Sequence, residues 1–341
     1  MIFSKIKCTG SYVPGKIVTN DMLSQYVDTS DEWIRSRSGI EKRHFSEGEN
    51  TSDIAAKAAI DILENGNVNP LDIELIIVAT VSPDYTTPST ACLVQSKIGA
   101  VNAVAFDLSA ACSGFIFGIS TADKFIKTGV YKNALVIGAE VLSKHLDFKD
   151  RSTCVLFGDG AGGVFLERAE NGGILAEEIG SDGNRGMSLI CAEKKASHIF
   201  NIEPVEEDNF LHMDGRAIFD FATRQTPKCI LRLIEKSGIC VEQLKYVIPH
   251  QANARIVEII SRKTKIPLQK FYMNIAEYSN TSAATIPIAL NEMMKKELLH
   301  KGDYILMAGF GGGLTWGGLL IKIWINNYFK EEQKNGSIRK N

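Results

Sequence analysis

Three short stretches, far apart in the chain, supply a thiol, an imidazole and a carboxamide, each beside chain-bending or glycine-rich sequence. Cys112 lies in DLSAACSGF (107–115), His250 in IPHQANARI (248–256) and Asn280 in YSNTSAA (278–284). Taken singly, a buried cysteine is more often a small hydrophobe, a histidine more often a core or loop residue, and a Ser-Asn-Thr-Ser run more often a helix cap. Together they are the parts of an acyl-transfer site: a sulfur that can carry an acyl group, and two side chains that can donate hydrogen bonds to a carbonyl oxygen.

A thioester-forming sulfur must be anionic near neutral pH, whereas a free cysteine titrates well above that. Ala110, Ala111, Ser113 and Gly114 permit a tight strand-to-helix turn. This predicts Cys112 at a helix N-terminus, where roughly half a positive charge favours thiolate. His250 follows the apolar strand 246–248 and a proline, which predicts a place at a strand's carboxyl end, where α/β folds hold their sites. GFGGGLTWGG (309–318) follows the apolar strand 304–308 and reads as a loop whose amides could approach a ligand. It lacks the spacing of a dinucleotide or P-loop fingerprint, and a plain tight turn would also explain it.

The elements that must position these groups alternate helix and strand. The segment 51–64 opens on a Thr-Ser-Asp capping cluster and carries apolar residues at helical spacing; 74–81 reads as a buried strand. A strand over 101–107, an apolar helix over 113–127 and a strand over 134–138 follow. A glycine-rich bend at 158–163 then leads into a strand at 164–168. The second half replays this order: strands at 246–249, 271–274 and 304–308, with an apolar helix at 282–296. Two similar halves related by a pseudo-twofold axis follow, with Cys112 and Asn280 at equivalent places, each at the mouth of its half's central helix. The expected division is 1–170, carrying the cysteine, 171–325, carrying the histidine and asparagine, and a polar tail over 326–341. An insertion at about 182–209 is expected as a loop region near the substrate.

The composition sets the outer bounds. A chain of 341 residues with 45% apolar content supports a large core, one duplicated domain or two. A net charge of −2 provides no basic field for nucleic acid, and the apolar runs are strand-length rather than membrane-length. MIFSKIKCTG lacks the apolar core of a secretory signal, which predicts a cytoplasmic protein. Seven scattered cysteines, with no CxxC and no zinc-ligand spacing, support neither a disulfide framework nor a metal site.

From the first strand to about Trp324 the chain resembles the β-ketoacyl-acyl carrier protein synthases III of the thiolase superfamily. The resemblance rests on the Cys112, His250 and Asn280 motifs together with the glycine stretch. It implies an α/β thiolase-like fold, two pseudo-repeated halves in a five-layered αβαβα sandwich, assembled as a homodimer with no cofactor. The activity implied is decarboxylative condensation of an acyl-CoA primer with malonyl-acyl carrier protein. Cys112 would be acylated, His250 and Asn280 would stabilise the enolate, and the Cys112 and Gly312 amides would form the oxyanion hole. Trp33 and Arg151 would stack on the adenine of coenzyme A with Thr29 and Arg37 nearby, in TSDEWIRSRSGIEKR (29–43) and DRSTCVLFGDGAGG (150–163). Gly215, Phe219 and Asn253 would line the pantetheine tunnel.

The family's usual threonine after the arginine is Ser38 here, and its usual glycine before the asparagine is Ser279. Thr87, in SPDYTTPSTACLVQ (82–95), would reach across the dimer to close the partner's acyl pocket, where acetyl-restricted enzymes tend to carry Phe. Leu142, Phe157, Leu189 and Phe310 would line that pocket. Arg216, Arg224 and Arg255 would meet the acidic carrier, although Asp220 stands where a lysine is common. Two other readings fit the same motifs: a condensing enzyme or acyltransferase of specialised metabolism with a different primer or acceptor, and a non-catalytic carrier-binding subunit.

Overall fold

The computed structural model describes residues 2–196, 200 and 208–325. The tail 326–341 and part of the expected 182–209 insertion lie outside the described residues. The chain opens with β1 (Phe3–Tyr12), β2 (Lys16–Thr19), α1 (Asn20–Leu23), α2 (Asp31–Ser38) and β3 (Lys42–Phe45). Next come α3 (Thr51–Gly66), β4 (Leu75–Ala79), α4 (Thr90–Ile98), β5 (Val104–Leu108), α5 (Gly114–Thr128), β6 (Asn133–Glu140) and β7 (Gly160–Ala169). The second half begins with β8 (Gly173–Ser181), the pair β9 (Leu189–Glu193) and β10 (Asp208–Met213), α6 (Gly215–Ser237), β11 (Leu244–Pro249) and α7 (Ala254–Thr264). It closes with α8 (Ile275–Tyr278), α9 (Thr285–Lys295), β12 (Tyr304–Gly311) and β13 (Thr315–Lys322).

Two sheets carry the fold. The first runs β1-β7-β6-β4-β5 and the second β11-β12-β13-β8. Strand alternation shows how they stack, since successive side chains leave a strand on opposite faces. In β4, Ile76 and Val78 pack with α3 and α4, while Leu75 and Ile77 pack with α5 and α9. In β12, Ile305 and Met307 join that same central helix layer, while Leu306 and Ala308 pack with α6 and α7. The layers therefore run α3/α4, first sheet, α5/α9, second sheet, α6/α7: the expected five-layered αβαβα sandwich. Helix α3 starts at Thr51, the first residue of the Thr-Ser-Asp cluster, and its cap lies one residue earlier: Asn50, in a reciprocal box with Asp53.

Four local expectations are corrected. The glycines at 158–163 are not all bend: β7 already begins at Gly160, because α9 lies against the strand so closely that a Cβ on Gly162 would stand 2.9 Å from Ile288 N. The 271–274 strand reduces to one bridge, Val247 to Phe271. There the Gln251 carboxamide takes a strand's place, donating to Tyr272 O at 3.1 Å and accepting from Asn274 N at 3.1 Å. The 309–318 stretch is a hairpin, with Gly309 opposite Gly317 and Ala308 opposite Gly318, so only 312–314 turn. The fourth concerns the repeat: Ala111 (φ 47°) and Ser282 (φ 48°) are the matching left-handed residues, each opening a 3₁₀ turn that feeds a central helix. In that register the partner of Cys112 is Ala283, and Asn280 stands three residues earlier.

Candidate active site

Cys112 sits in the 3₁₀ turn Ala111–Ser113 that precedes α5. Ala111 holds the left-handed conformation, a cost of roughly 1–2 kcal/mol for a residue with a Cβ. Gly311, at the end of β12, abuts the turn: a Cβ there would lie 2.8 Å from both Cys112 N and Cys112 Cβ. The glycine lets the second sheet reach the sulfur-bearing backbone.

His250 follows β11, and its N–H donates to Ala308 O of β12 at 2.8 Å. The ring is buried, edge-on to Phe310 with centroids 5.2 Å apart. Nδ1 is 2.7 Å from Thr285 Oγ1, and Nε2 is buried without a partner. Asn280 is clamped by its backbone: its N–H donates to Leu156 O and its carbonyl accepts from Gly158 N, each at 3.0 Å. Its Oδ1 accepts the Ser282 N–H at 2.8 Å.

The three side chains line one cavity of about 270 Å³. Trp33, Arg37 and Arg151 stand in its wall together with Gly215, Phe219 and Asn253. The Arg151 and Arg37 guanidinium carbons lie 5.2 and 5.7 Å from the centroid of the Trp33 ring. Asn253 also caps α7 and donates to Arg37 O at 2.9 Å, tying the two arms of this tunnel together. Ser38 lines the tunnel as well, whereas Thr29 does not.

A second cavity of about 660 Å³ lies beyond the sulfur, lined by Leu142, Phe157, Leu189 and Gly312 among others. Cys112, Phe157 and Leu189 belong to both cavities, so the thiol marks their junction. Phe310 lines the tunnel rather than the chamber, because its ring is taken up by His250. Thr87 lines neither and is exposed, although its neighbours Tyr85 and Thr86 line the chamber. Of the three arginines read as a docking face, Arg224 is bound to Asp220 at 2.7 Å, and Arg185 approaches the same carboxylate at 3.8 Å. Arg216 and Arg255 are exposed and make no ion pair among the described residues.

The electrostatics depart from the expected thiolate. Burial pushes the Cys112 thiol up to about 12, only partly opposed by a hydrogen bond from Ser282, with the Glu140 carboxylate nearby raising it further. Burial also drives His250 down to about 3, so the imidazole is neutral. Among the described residues no cationic side chain acts on the sulfur, and the helix terminus alone does not offset desolvation. The resting pair is thiol and neutral imidazole.

Several residues of the site escaped the sequence reading. Glu140 is fully buried and accepts from Ser82 Oγ at 2.6 Å, Thr80 Oγ1 at 3.1 Å and Ser282 Oγ at 3.0 Å. These bonds pin the chamber wall at Thr80 and Val81 to the turn below Cys112. Cys191 stands in the chamber wall, and Thr285 behind His250. A Ser or Thr at a helix start ordinarily signals a cap, so nothing in the sequence separated Thr285 from any other.

Residues 106–183 match the family described as 3-oxoacyl-[acyl-carrier-protein (ACP)] synthase III, and 234–323 match its C-terminal domain. The β-ketoacyl-[acyl-carrier-protein] synthase III of Clostridium acetobutylicum is 52% identical over 314 residues, 92% of this chain and 97% of that one. The chain belongs to the β-ketoacyl-acyl carrier protein synthase III family. The Streptococcus mutans synthase III is 52% identical over 325 residues, 95% of this chain and 100% of its own length. Among solved structures, the Aquifex aeolicus synthase III superposes with a TM-score of 0.87 at 45% identity, covering 94% of this chain and 99% of that one. The sandwich is thus the thiolase-like fold of the synthases III, and the chain is an acyltransferase of the condensing-enzyme class.

Proposed function

We propose that the chain initiates fatty acid synthesis by condensing an acyl-CoA primer with malonyl-acyl carrier protein, with Cys112 as the acyl carrier between two half-reactions. The observation that supports this most is the thiol at the junction of a tunnel and a chamber. The tunnel, with Trp33 between two arginines and Gly215, Phe219 and Asn253 along its wall, suits a nucleotide-tailed pantetheine arm. The chamber beyond the sulfur suits the acyl group.

In the first half-reaction the Cys112 sulfur attacks the thioester carbon, the carbon–sulfur bond to coenzyme A breaks, and the thiol proton ends on the departing sulfur. Because the resting thiol is protonated, that transfer accompanies attack, and the unpartnered Nε2 of His250 is the base in reach of the tunnel. In the second, malonyl-acyl carrier protein enters the emptied tunnel. His250 and Asn280 donate to its thioester oxygen as carbon dioxide leaves, and the resulting carbanion attacks the acyl-Cys112 thioester. The amides of Cys112 and Gly312 hold the new oxyanion until it collapses, which breaks the carbon–sulfur bond to Cys112 and leaves a thiolate that takes a proton from solvent to restore the resting thiol.

Around this centre the proposed assembly is a cytoplasmic homodimer in which Thr87 of one subunit closes the chamber of the other. Among the described residues no helix is long and apolar enough to cross a membrane. Arg255, free of ion pairs among the described residues, is the leading contact for the acidic carrier, ahead of Arg216 and of Arg224, which Asp220 already neutralises. Purified protein given acetyl-CoA and malonyl-acyl carrier protein should release coenzyme A, carbon dioxide and acetoacetyl-acyl carrier protein in equal amounts. Coenzyme A release without condensation would instead favour a plain acyltransferase.

A further inference from the structure

Ser282 is joined to all three groups of the proposed centre. Its N–H donates to Asn280 Oδ1 at 2.8 Å, and its carbonyl accepts at 3.0 Å from Thr285 Oγ1, which itself lies 2.7 Å from His250 Nδ1. Any residue could supply those two backbone groups. The side chain is what sets this position apart, because the matching left-handed place of the first half is held by Ala111, which has no hydroxyl. The two turns face each other: Ala283 Cβ lies 3.6 Å from where a Cβ on Gly114 would stand, and Ser282 and Cys112 share the chamber wall. Ser282 is 2% exposed, and its hydroxyl lies within hydrogen-bonding reach of two acceptors, Cys112 Sγ and, at 3.0 Å, Glu140 Oε1.

A hydroxyl holds one proton and serves one acceptor at a time. Beside a neutral thiol the carboxylate is the stronger acceptor, so the resting O–H points to Glu140. Negative charge on the sulfur changes the balance, because a buried anion without donors is costly. Glu140 keeps four other donors, the Val81 and Ser82 N–H groups and the hydroxyls of Ser82 and Thr80. Among the described residues no other side chain donates to the sulfur. Rotation about the Cβ–Oγ bond carries the donor from one to the other, and its proton never leaves the oxygen.

We propose that Ser282 is a further catalytic residue, whose hydroxyl turns from Glu140 to the Cys112 sulfur whenever that sulfur carries negative charge. This happens twice in the cycle. In the first half-reaction the S–H bond breaks as the sulfur attacks, the proton passes by way of His250 to the departing sulfur of coenzyme A, and the hydroxyl donates to the Cys112 sulfur while it is partly charged. In the second, collapse of the oxyanion expels Cys112 as thiolate with the electron pair of the broken carbon–sulfur bond. The hydroxyl holds that anion until solvent returns the thiol proton, then swings back to Glu140. Ser282 neither gains nor loses a proton in either step.

The inference rests on Cys112 as the acyl carrier: an acetyl adduct on another cysteine of the wild-type protein would remove that reading and Ser282 with it. Two variants delete the hydroxyl and keep both backbone groups. Ser282→Ala takes a conformation that Ala111 already adopts, and Ser282→Gly takes it without strain. In each, single-turnover release of coenzyme A from acetyl-CoA should fall about tenfold or more, the factor for one lost hydrogen bond to a charged group. Carbon dioxide release from malonyl-acyl carrier protein, measured on enzyme already acetylated, should stay near the wild-type rate, since the sulfur bears no charge in that step. A tenfold smaller thiolate fraction is about half offset by the greater nucleophilicity of a more basic sulfur, so iodoacetamide should alkylate Cys112 about threefold more slowly at every pH from 7 to 10. Wild-type acylation and alkylation in these variants would overturn the role of Ser282 while leaving Cys112 in place. Equal losses in coenzyme A and carbon dioxide release would make Ser282 a structural tie and overturn the proposal as well.

Discussion

The backbone N–H of Ser282 donates to Asn280 Oδ1 at 2.8 Å, which turns the Asn280 amide group toward the cavity it shares with His250. Asn280 therefore has a donor to offer a carbonyl and no part in moving the Cys112 proton. Asn280→Ala should acylate from acetyl-CoA at close to the wild-type rate and lose carbon dioxide release from malonyl-acyl carrier protein by about 10²–10³-fold. Separate single-turnover assays of coenzyme A and carbon dioxide release check this; equal losses in both would reject the division of labour.

The resting thiol and imidazole give two pH signatures. With the thiol raised to about 12, thiolate is a minor species at neutral pH, and its fraction climbs about tenfold per pH unit. Alkylation of Cys112 by iodoacetamide should thus keep rising from pH 7 to 10, whereas a plateau by pH 8 would mean a thiolate already formed. His250 acts on stability: between about 6.5 and 3 the unfolded chain takes a proton there that the folded chain refuses. Its contribution is whole above that window and is lost as pH falls through it. Urea unfolding of His250→Gln should show a flatter acid limb than wild type.

Trp33 and Arg255 should separate the two substrates. Stacking of an aromatic ring on the adenine is worth about 0.5–1.5 kcal/mol, about a 2- to 12-fold change, so Trp33→Ala should raise KM for acetyl-CoA by a factor in that range. It should leave KM for malonyl-acyl carrier protein nearly unchanged, because that substrate brings no adenine. Arg255→Glu should do the reverse, with an effect that shrinks as salt rises. Steady-state kinetics with each substrate varied decides; an unaltered KM for the carrier would remove Arg255 from the docking face.

Much of this was legible in the sequence because the chemistry is concentrated. Cys112, His250 and Asn280 each lie next to a turn rich in small residues or proline, β4 and β12 are unbroken apolar runs, and β6 and β11 carry apolar stretches over 134–139 and 246–249. The rest depends on groups distant in sequence. Burial of Cys112 comes from both halves, so the thiol's upward shift could not be read from AACSG alone. Glu140 ends an apolar strand and gains its meaning only from Ser82, Thr80 and Ser282 around it. Gly160 and Gly162 read as part of a bend because glycine is permissive; close approach of Ile288 on α9 is what demands them. Thr87 is exposed in the single chain, so nothing in its own surroundings marks it as a chamber residue.

Thr87 carries the prediction on primer choice. Each further buried methylene contributes about 0.8 kcal/mol, roughly a fourfold preference until the chamber is full. Isobutyryl- or butyryl-CoA should therefore prime the reaction alongside acetyl-CoA, and Thr87→Phe should abolish the longer primers while sparing acetyl. Strict acetyl specificity in the unmodified enzyme would sink this.

The most direct measurement is the mass of the intact protein after incubation with acetyl-CoA, followed by mapping of the modified peptide. The account predicts a single acetyl adduct on the peptide carrying Cys112, labile to hydroxylamine as a thioester is, and none on Cys112→Ser. An adduct on Cys92, Cys154 or the chamber-lining Cys191, or one retained by Cys112→Ser, would contradict it.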